Sequence, residues 1–287
     1  MTRALSLRLR GSGLLAVAAL SMTALSLSAC SSAGGGDTAG GGDAGGGSTP
    51  AAGTTLQEIQ DAGVLTVGTE GTYAPFSFHE GGSGDLTGYD VEIAEAVAGE
   101  LGVEAEFEET QFDGIFAGLE AGRFDIIANQ ISINPTRQEK YEMSEPYTVS
   151  PGVLIVTEDT TDISSFEDLA GKTSAQSLTS NWYDLAEQNG AKVEAVEGFA
   201  QAVQLLQQGR VDATINDSLT LLEYQKQQGP SGLKVAAEAE DPSRNAFAMR
   251  KGSTELLDAV NEALATLRED GTLASISEKY FGEDVTQ

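Results

Sequence analysis

A single cysteine, Cys30, and a single histidine, His79, stand among 287 residues. That scarcity excludes a disulfide framework and any zinc site assembled from several Cys and His ligands. Cys–His or Ser–His–acid catalysis would have to rest on His79 alone. His79 follows Phe76-Ser77-Phe78 beside a glycine-rich turn, the setting of a surface residue rather than of a base or ligand. Positive charge is scarce as well: 16 Lys and Arg face 44 Asp and Glu, a formal charge of −28. Such a surface repels phosphate backbones and anionic lipid headgroups, so no nucleic-acid partner is expected. Apolar residues are not scarce. At 40% they can build the core of one or two domains.

Residues 1–29 read as an export signal. Arg3, Arg8 and Arg10 come first, and an apolar stretch beginning at Leu14 runs to Leu27. Ser21, Thr23 and Ser26 interrupt it, leaving it shorter than the roughly 20 apolar residues of a spanning helix. Its end, Leu27-Ser28-Ala29-Cys30, resembles the lipobox of bacterial lipoproteins, which implies a lipid-modified Cys30 as the new N-terminus. From Cys30 onward 13 basic side chains remain against 44 acidic ones, a balance of −31. Residues 30–55 are, after Cys30, Gly, Ser, Ala and Thr apart from Asp37, Asp43 and Pro50, without apolar periodicity, which is the composition of a flexible tether. Some 25 such residues reach roughly 25–30 Å. With the lipid anchor that the lipobox resemblance implies, Cys30 and the tether describe a soluble body held near a membrane by that anchor alone.

From Leu56 the pattern alternates. Val64-Leu65-Thr66-Val67-Gly68 reads as a strand. Val91, Ala94, Val97, Ala98 and Leu101 fall at helical spacing and stop at Gly102. Val103, Ala105 and Phe107 alternate with glutamates, as in a half-exposed strand. Strands are also predicted at 124–128, 153–157, 193–196 and 211–215, with closing helices at 254–270 and 273–281. This alternation indicates an α/β layered fold.

The chain also echoes itself. Phe112, Leu119, Gly122, Arg123, Asp125 and Asn129 recur as Phe199, Leu206, Gly209, Arg210, Asp212 and Asn216, all at one offset of 87. Each copy is a helix stopped by glycine, a turn, and a strand ending in Asn. Either such turns recur by chance, or the chain holds two similarly built lobes, each with polar groups at a strand's C-terminal end, where open α/β sheets bind ligands. After the first strand end comes Arg137, among Asn129, Gln130, Ser132 and Thr136; after the second comes Asp217. A guanidinium fork suits a carboxylate and an aspartate suits an ammonium, together the two ends of a zwitterion.

Gly88-Tyr89-Asp90-Val91-Glu92-Ile93-Ala94-Glu95 resembles the signature of bacterial extracellular solute-binding proteins of family 3, which bind polar amino acids. Further landmarks follow in order: Thr72-Tyr73-Ala74-Pro75-Phe76, Thr136-Arg137…Ser144-Glu145-Pro146-Tyr147, Phe166-Glu167-Asp168-Leu169, and Leu267-Arg268-Glu269-Asp270-Gly271…Lys279-Tyr280-Phe281. The resemblance implies a two-lobed periplasmic-binding-protein fold (type II) with two crossover strands. The first lobe would be discontinuous, 56–148 with 247–287, and the second would be 149–246. It implies that Arg137 grips the ligand carboxylate and Asp217 its ammonium. Tyr73 and Phe112 would pack on the side chain, Glu70 would sit near the amine, and Asn129, Gln130 and Ser132 would add hydrogen bonds.

In the second lobe, Gln176-Ser177-Leu178-Thr179-Ser180-Asn181-Trp182 departs from the commoner glycine-containing loop of the family. Thr179, Ser180 and Asn181 stand at an expected helix N-terminus, where hydroxyls and free N–H groups suit an anionic group; plain N-capping would use the same residues. This stretch, with Asn216-Asp217-Ser218, resembles cystine-binding members more than glutamine or basic-residue binders. Trp182 fits either the pocket or helix packing.

Two function classes are in view. The first is a lipid-anchored, monomeric receptor on the outer face of the membrane. It would deliver an amino acid to the permease subunits of an ABC transporter, without catalysis, cofactor or metal. The second is a dehydratase of cyclic carboxylic acids such as arogenate or prephenate, for which Glu70 is the available acid.

Overall fold

Hydrogen bonding sorts the strands into two main sheets that trade the chain twice. A computed structural model describes residues 53–229 and 231–287. The helices are α1 (Leu56–Ala62), α2 (Tyr89–Glu100), α3 (Phe112–Glu120), α4 (Pro135–Lys140), α5 (Asn181–Gln188), α6 (Phe199–Gln207), α7 (Ser218–Gln228), α8 (Thr254–Glu269) and α9 (Thr272–Phe281). The strands are β1 (Val64–Thr69), β2 (Thr72–Tyr73), β3 (Ser77–His79), β4 (Leu86–Thr87), β5 (Glu104–Glu109), β6 (Ile126–Ser132), β7 (Tyr141–Met143) and β8 (Thr148–Ser150). They continue as β9 (Gly152–Thr157), β10 (Thr173–Gln176), β11 (Lys192–Ala195), β12 (Ala213–Asp217), β13 (Leu233–Glu238) and β14 (Ser243–Arg250).

The first sheet runs β5-β1-β6-β14-β7, with β8 also on β14; the second runs β11-β10-β12-β9-β13. In each, three parallel strands meet an antiparallel fourth: β1 pairs in parallel with β5 and β6, as β10 does with β11 and β12. The antiparallel neighbour is β14 in the first sheet and β9 in the second. The chain leaves the first sheet through Pro151 and returns through residues 239–242. These crossovers touch, Ala239 N–H donating to Gly152 O at 2.8 Å. Ser150 and Ser243 are partners in the first sheet, whereas the sequence reading put both in the second lobe.

The echo at offset 87 is structural. Gly122 N–H donates to Leu119 O and Arg123 N–H to Gly118 O; Gly209 N–H donates to Leu206 O and Arg210 N–H to Leu205 O, each at 3.0 Å. Gly122 and Gly209 take φ of 69° and 66°, a left-handed stop that glycine adopts without Cβ strain. Asp125 and Asp212 then bind the neighbouring strand alike, each carboxylate accepting one backbone N–H, from Thr66 and Thr173 respectively.

Each sheet is covered on both faces. In the first, α2, α8 and α9 bury Val97, Val260, Leu264 and Leu273 over Leu65 and Val67, and α3 buries Ile115 and Leu119 against Ile127 on the other side. In the second, α6 and α7 cover Val153 and Ile155, while α5 lies against Leu154 and Ile215. The predicted strand 124–128 begins later, at Ile126. Phe124 stays in the turn, its ring filling the space beside Gly68 and Gly118.

Candidate functional site

The C-terminal ends of β1, β6, β10 and β12 converge on a cleft between the two sheets. It encloses about 580 Å³ of atom-free space, its open mouth included. Glu70, Tyr73, Phe112, Asn129 and Gln130 line it from the first sheet, Ser180 and Asn181 from the second. Those seven of the expected residues are brought together. Ser132, Arg137, Thr179 and Asp217 stand outside this lining.

Asn129 organises the first wall. Its Oδ1 accepts Glu70 N–H at 2.9 Å and Thr69 Oγ1 at 3.2 Å, and its Nδ2 donates to Glu70 Oε2 at 2.8 Å. The half-buried Glu70 carboxyl is thereby held in the cleft. Burial pushes it up to about 7, the Asn129 bond opposing and the Asp113 charge adding to the rise. Opposite, Asn216 Oδ1 accepts Tyr73 O–H at 2.8 Å, and Thr220 Oγ1 donates to the same tyrosine oxygen at 3.2 Å. Tyr73, from the first sheet's side, is thus bonded to the second.

Arg137 is 7% exposed. Asn134 caps its helix, α4, accepting Arg137 N–H at 2.8 Å, with Pro135 preset for the first turn. The guanidinium donates from Nη1 to Ser132 O at 3.0 Å and from Nη2 to Thr179 O at 3.3 Å, and lies 5.2 Å from the centre of the Phe116 ring. Among the described residues no carboxylate pairs with it. Burial lowers it to about 10. Thr179 bridges in return, its N–H and hydroxyl both donating to Asp113 Oδ1 at 3.1 Å.

The hydroxyl of Ser180 is used for capping, accepting Tyr183 N–H at 3.0 Å and donating to Ser177 O at 2.8 Å. Asp217 is 2% exposed and caps α7 through Leu219 N–H at 2.9 Å, while Ser150 Oγ donates to its other oxygen. Burial pushes Asp217 up to about 6, both bonds opposing. Ser132 faces the crossovers, donating to Asn245 Oδ1 at 2.9 Å and accepting from Ser243 Oγ at 2.8 Å. His79 pairs with Gly84 O at 2.8 Å and Glu109 at 3.0 Å, tying β3 to β5.

Sequence reasoning left Asn216, Phe199 and Gln176 out of the site, yet all three line it. The offset of 87 carried the signal for two of them: Phe112 and Asn129 have Phe199 and Asn216 as their echoes. Trp182 does both things considered for it, lining the cleft and covering Gly152, where an added Cβ would come 2.4 Å from the indole. The largest omission is Asp90, placed in α2 by its signature but bonded across to Gln130.

Residues 65–283 match the model of the bacterial extracellular solute-binding proteins, family 3. The chain belongs to that family. This family 3 protein is similar to the L-cystine-binding protein TcyA of Bacillus subtilis (strain 168), with 53% identity over 229 residues, 80% of this chain and 85% of the relative. Among solved structures it is similar to an ancestral arginine-binding protein bound to arginine (TM-score 0.72, 37% identity, 77% of this chain and 99% of that one). It is also similar to the L-cystine solute receptor of Neisseria gonorrhoeae in its unliganded open conformation (TM-score 0.55, 44% identity, 81% and 99%). The greater identity comes with the lower TM-score.

Proposed function

We propose that this family 3 protein captures L-cystine between its lobes and delivers it to the permease of an ABC transporter. The observation that carries the reading is Arg137, a buried guanidinium that bonds Thr179 O, next to the lining residue Ser180, without a carboxylate partner among the described residues. Burying an unpaired charge is costly, and a ligand carboxylate would relieve it. In this reading Asp217 takes the ammonium, Tyr73 and Phe112 hold the side chain, and Glu70, Asn129, Gln130, Thr179, Ser180 and Asn181 supply polar contacts, while Ser132 acts through Asn245 and Ser243. The closing bodies meet at Pro151 and at residues 239–242. The Arg137–Thr179, Tyr73–Asn216 and Asp113–Thr179 bonds support a closed arrangement, as does the greater likeness to an arginine-bound structure than to an open one. Cystine is favoured by the likeness to TcyA.

The test is native mass spectrometry of the purified protein followed by calorimetry with L-cystine, L-arginine and L-glutamine. Retained cystine, or cystine binding tighter than the other two, supports the reading; preference for another amino acid removes cystine and keeps the receptor. The relative named above is a binding protein. One observation favours an enzyme, the Glu70 carboxyl held in the cleft near neutrality, as proton transfer requires. Turnover of arogenate or prephenate would establish that second reading.

Cys30 and the tether lie outside the described residues. With the lipobox resemblance, we read the protein as a monomer held by lipid at the extracytoplasmic face of the membrane. Among the described residues no helix is long and apolar enough to cross it.

A further inference from the structure

The left-handed region is occupied by one non-glycine residue of the described chain, Gln130, at φ 50°. A side chain keeps that conformation only where its surroundings over-determine it. Glycine would adopt it more easily, yet glycine could make none of the bonds that meet here. Asp90 is the centre of them. It stands in the first turn of α2, fully buried, and both bonds of its carboxylate to Gln130 leave that helix. Its Oδ2 accepts Gln130 N–H at 2.8 Å and its Oδ1 accepts Gln130 Nε2 at 2.5 Å. One carboxylate therefore fixes both the backbone turn and the side chain of a residue lining the cleft.

The same amide reaches the strands on the first-sheet side of both crossovers. Gln130 Nε2 also donates to Thr148 Oγ1 at 3.2 Å, on the outgoing β8. Gln130 Oε1 accepts Asn245 Nδ2 at 2.8 Å, on the returning β14. Asn245 Oδ1 in turn accepts from Ser132 Oγ at 2.9 Å and Ser243 Oγ at 3.1 Å. On either side of Gln130 stand Asn129, which holds Glu70, and Ser132, whose carbonyl holds Arg137.

We propose that Asp90 is a positioning residue for ligand capture, fixing Gln130 in the cleft wall and tying that wall to β8 and β14, the strands that adjoin the two crossovers. A carboxylate buried without a cation is a poor source of stability and is better explained by the geometry it enforces. The proposal rests on the cleft being the amino-acid site.

The test is a reciprocal exchange. In Asp90→Asn one carboxylate oxygen becomes an NH₂ that faces the Gln130 amide, donor against donor. We expect L-cystine to bind about tenfold or more weakly by calorimetry, and the amide of residue 130 to exchange hydrogen faster. In Asp90→Asn/Gln130→Glu the introduced amide donates to the introduced carboxylate, which still accepts from Asn245. Affinity should return to within about threefold of wild type, with the slow exchange. A merely structural Asp90 would shift the melting temperature without this rescue. Wild-type affinity in Asp90→Asn, or a folded double variant no better than the single one, overturns the proposal. Should Asp90→Asn not fold, hydrogen exchange in Gln130→Gly decides, since that variant keeps the backbone N–H bonded to Asp90: an amide at residue 130 still exchanging as slowly as in the wild type supports the proposal, and free exchange overturns it. If the wild type binds no amino acid, the receptor reading fails, while hydrogen exchange at residue 130 still decides the role of Asp90.

Discussion

Arg137 gathers the sparse positive charge of this chain at one point. Its helix is short, and Asn134 and Pro135 hold the entry, so the guanidinium rides on a fixed turn. Arg137→Ala should weaken amino-acid binding by about 2–5 kcal/mol by calorimetry, because a buried ligand carboxylate loses its partner. Arg137→Lys should fall between, keeping charge without the planar fork. An unchanged affinity in Arg137→Ala would remove the residue from the site. Gly152 is the opposite kind of residue, important for what it lacks. Trp182 occupies the space of its missing Cβ at the outgoing crossover. Gly152→Ala should destabilise by about 1–3 kcal/mol in urea unfolding. Gly152→Ala/Trp182→Leu should recover part of that loss.

The paired helix–turn–strand units solve one packing problem in two ways. In α3–β6, Gly118 on the helix leaves room for Phe124 from the turn; an added Cβ would meet that ring at 2.7 Å. Its echo at offset 87 reverses the sizes, with Leu205 on α6 and Val211 before β12, both buried in the second lobe's core. The volume is supplied by the turn in one lobe and by the helix in the other. Gly118→Ala would gain about 1 kcal/mol in helix propensity. Overpacking should outweigh it, giving a net loss of about 1–2 kcal/mol in thermal unfolding. A stabilised Gly118→Ala would show that Phe124 repacks freely. Such reciprocal sizes also explain why the echo is legible in six residues and no further. The turn residues are fixed by backbone geometry, while core residues need only conserve volume.

At the scale of the molecule, burial creates three carboxyls with raised values near the cleft and crossovers: Glu70 and Asp90 at about 7, Asp217 at about 6. Each holds its proton more firmly folded than unfolded, where carboxyls titrate near about 4. Their contribution to stability is therefore full at pH values below about 4 and is lost as pH rises through about 6 and 7. The ligand-free protein should melt at progressively lower temperature between pH 5 and pH 7.5. In the proposed reading ligand binding should have the reverse dependence, because Asp217 and Glu70 would hold an ammonium in their ionised forms. Affinity should rise from pH 6 to pH 8, and calorimetry in buffers of different ionisation enthalpy should show proton release near neutrality. A flat profile would place the ligand away from these acids. For the proposed anchor, Cys30→Ser should move the protein from the membrane fraction to the supernatant. Full retention would refute lipid attachment there.

The sequence by itself determined the layered α/β class and the two-fold plan, and it named seven of the residues that line the cleft. Strand and helix periods are local, and the glycine stops and the Asn129 and Asn216 pair recur at one offset set by those elements; both asparagines lie inside their strands, which run on to Ser132 and Asp217. The amphipathic β5 and the closing helices α8 and α9 were readable for the same reason. Only the tertiary structure decided how these pieces meet. β14 was not foreseen, because it is buried from Asn245 to Met249 without alternation and owes its strand form to neighbours on both sides. Ser132 faces the crossovers rather than the cavity, since the pleat and its partners on β14 turn it there. Asp90 read as a helix acid because its partner lies 40 residues away across the fold. Pairing over such distances follows from packing, and no local period encodes it.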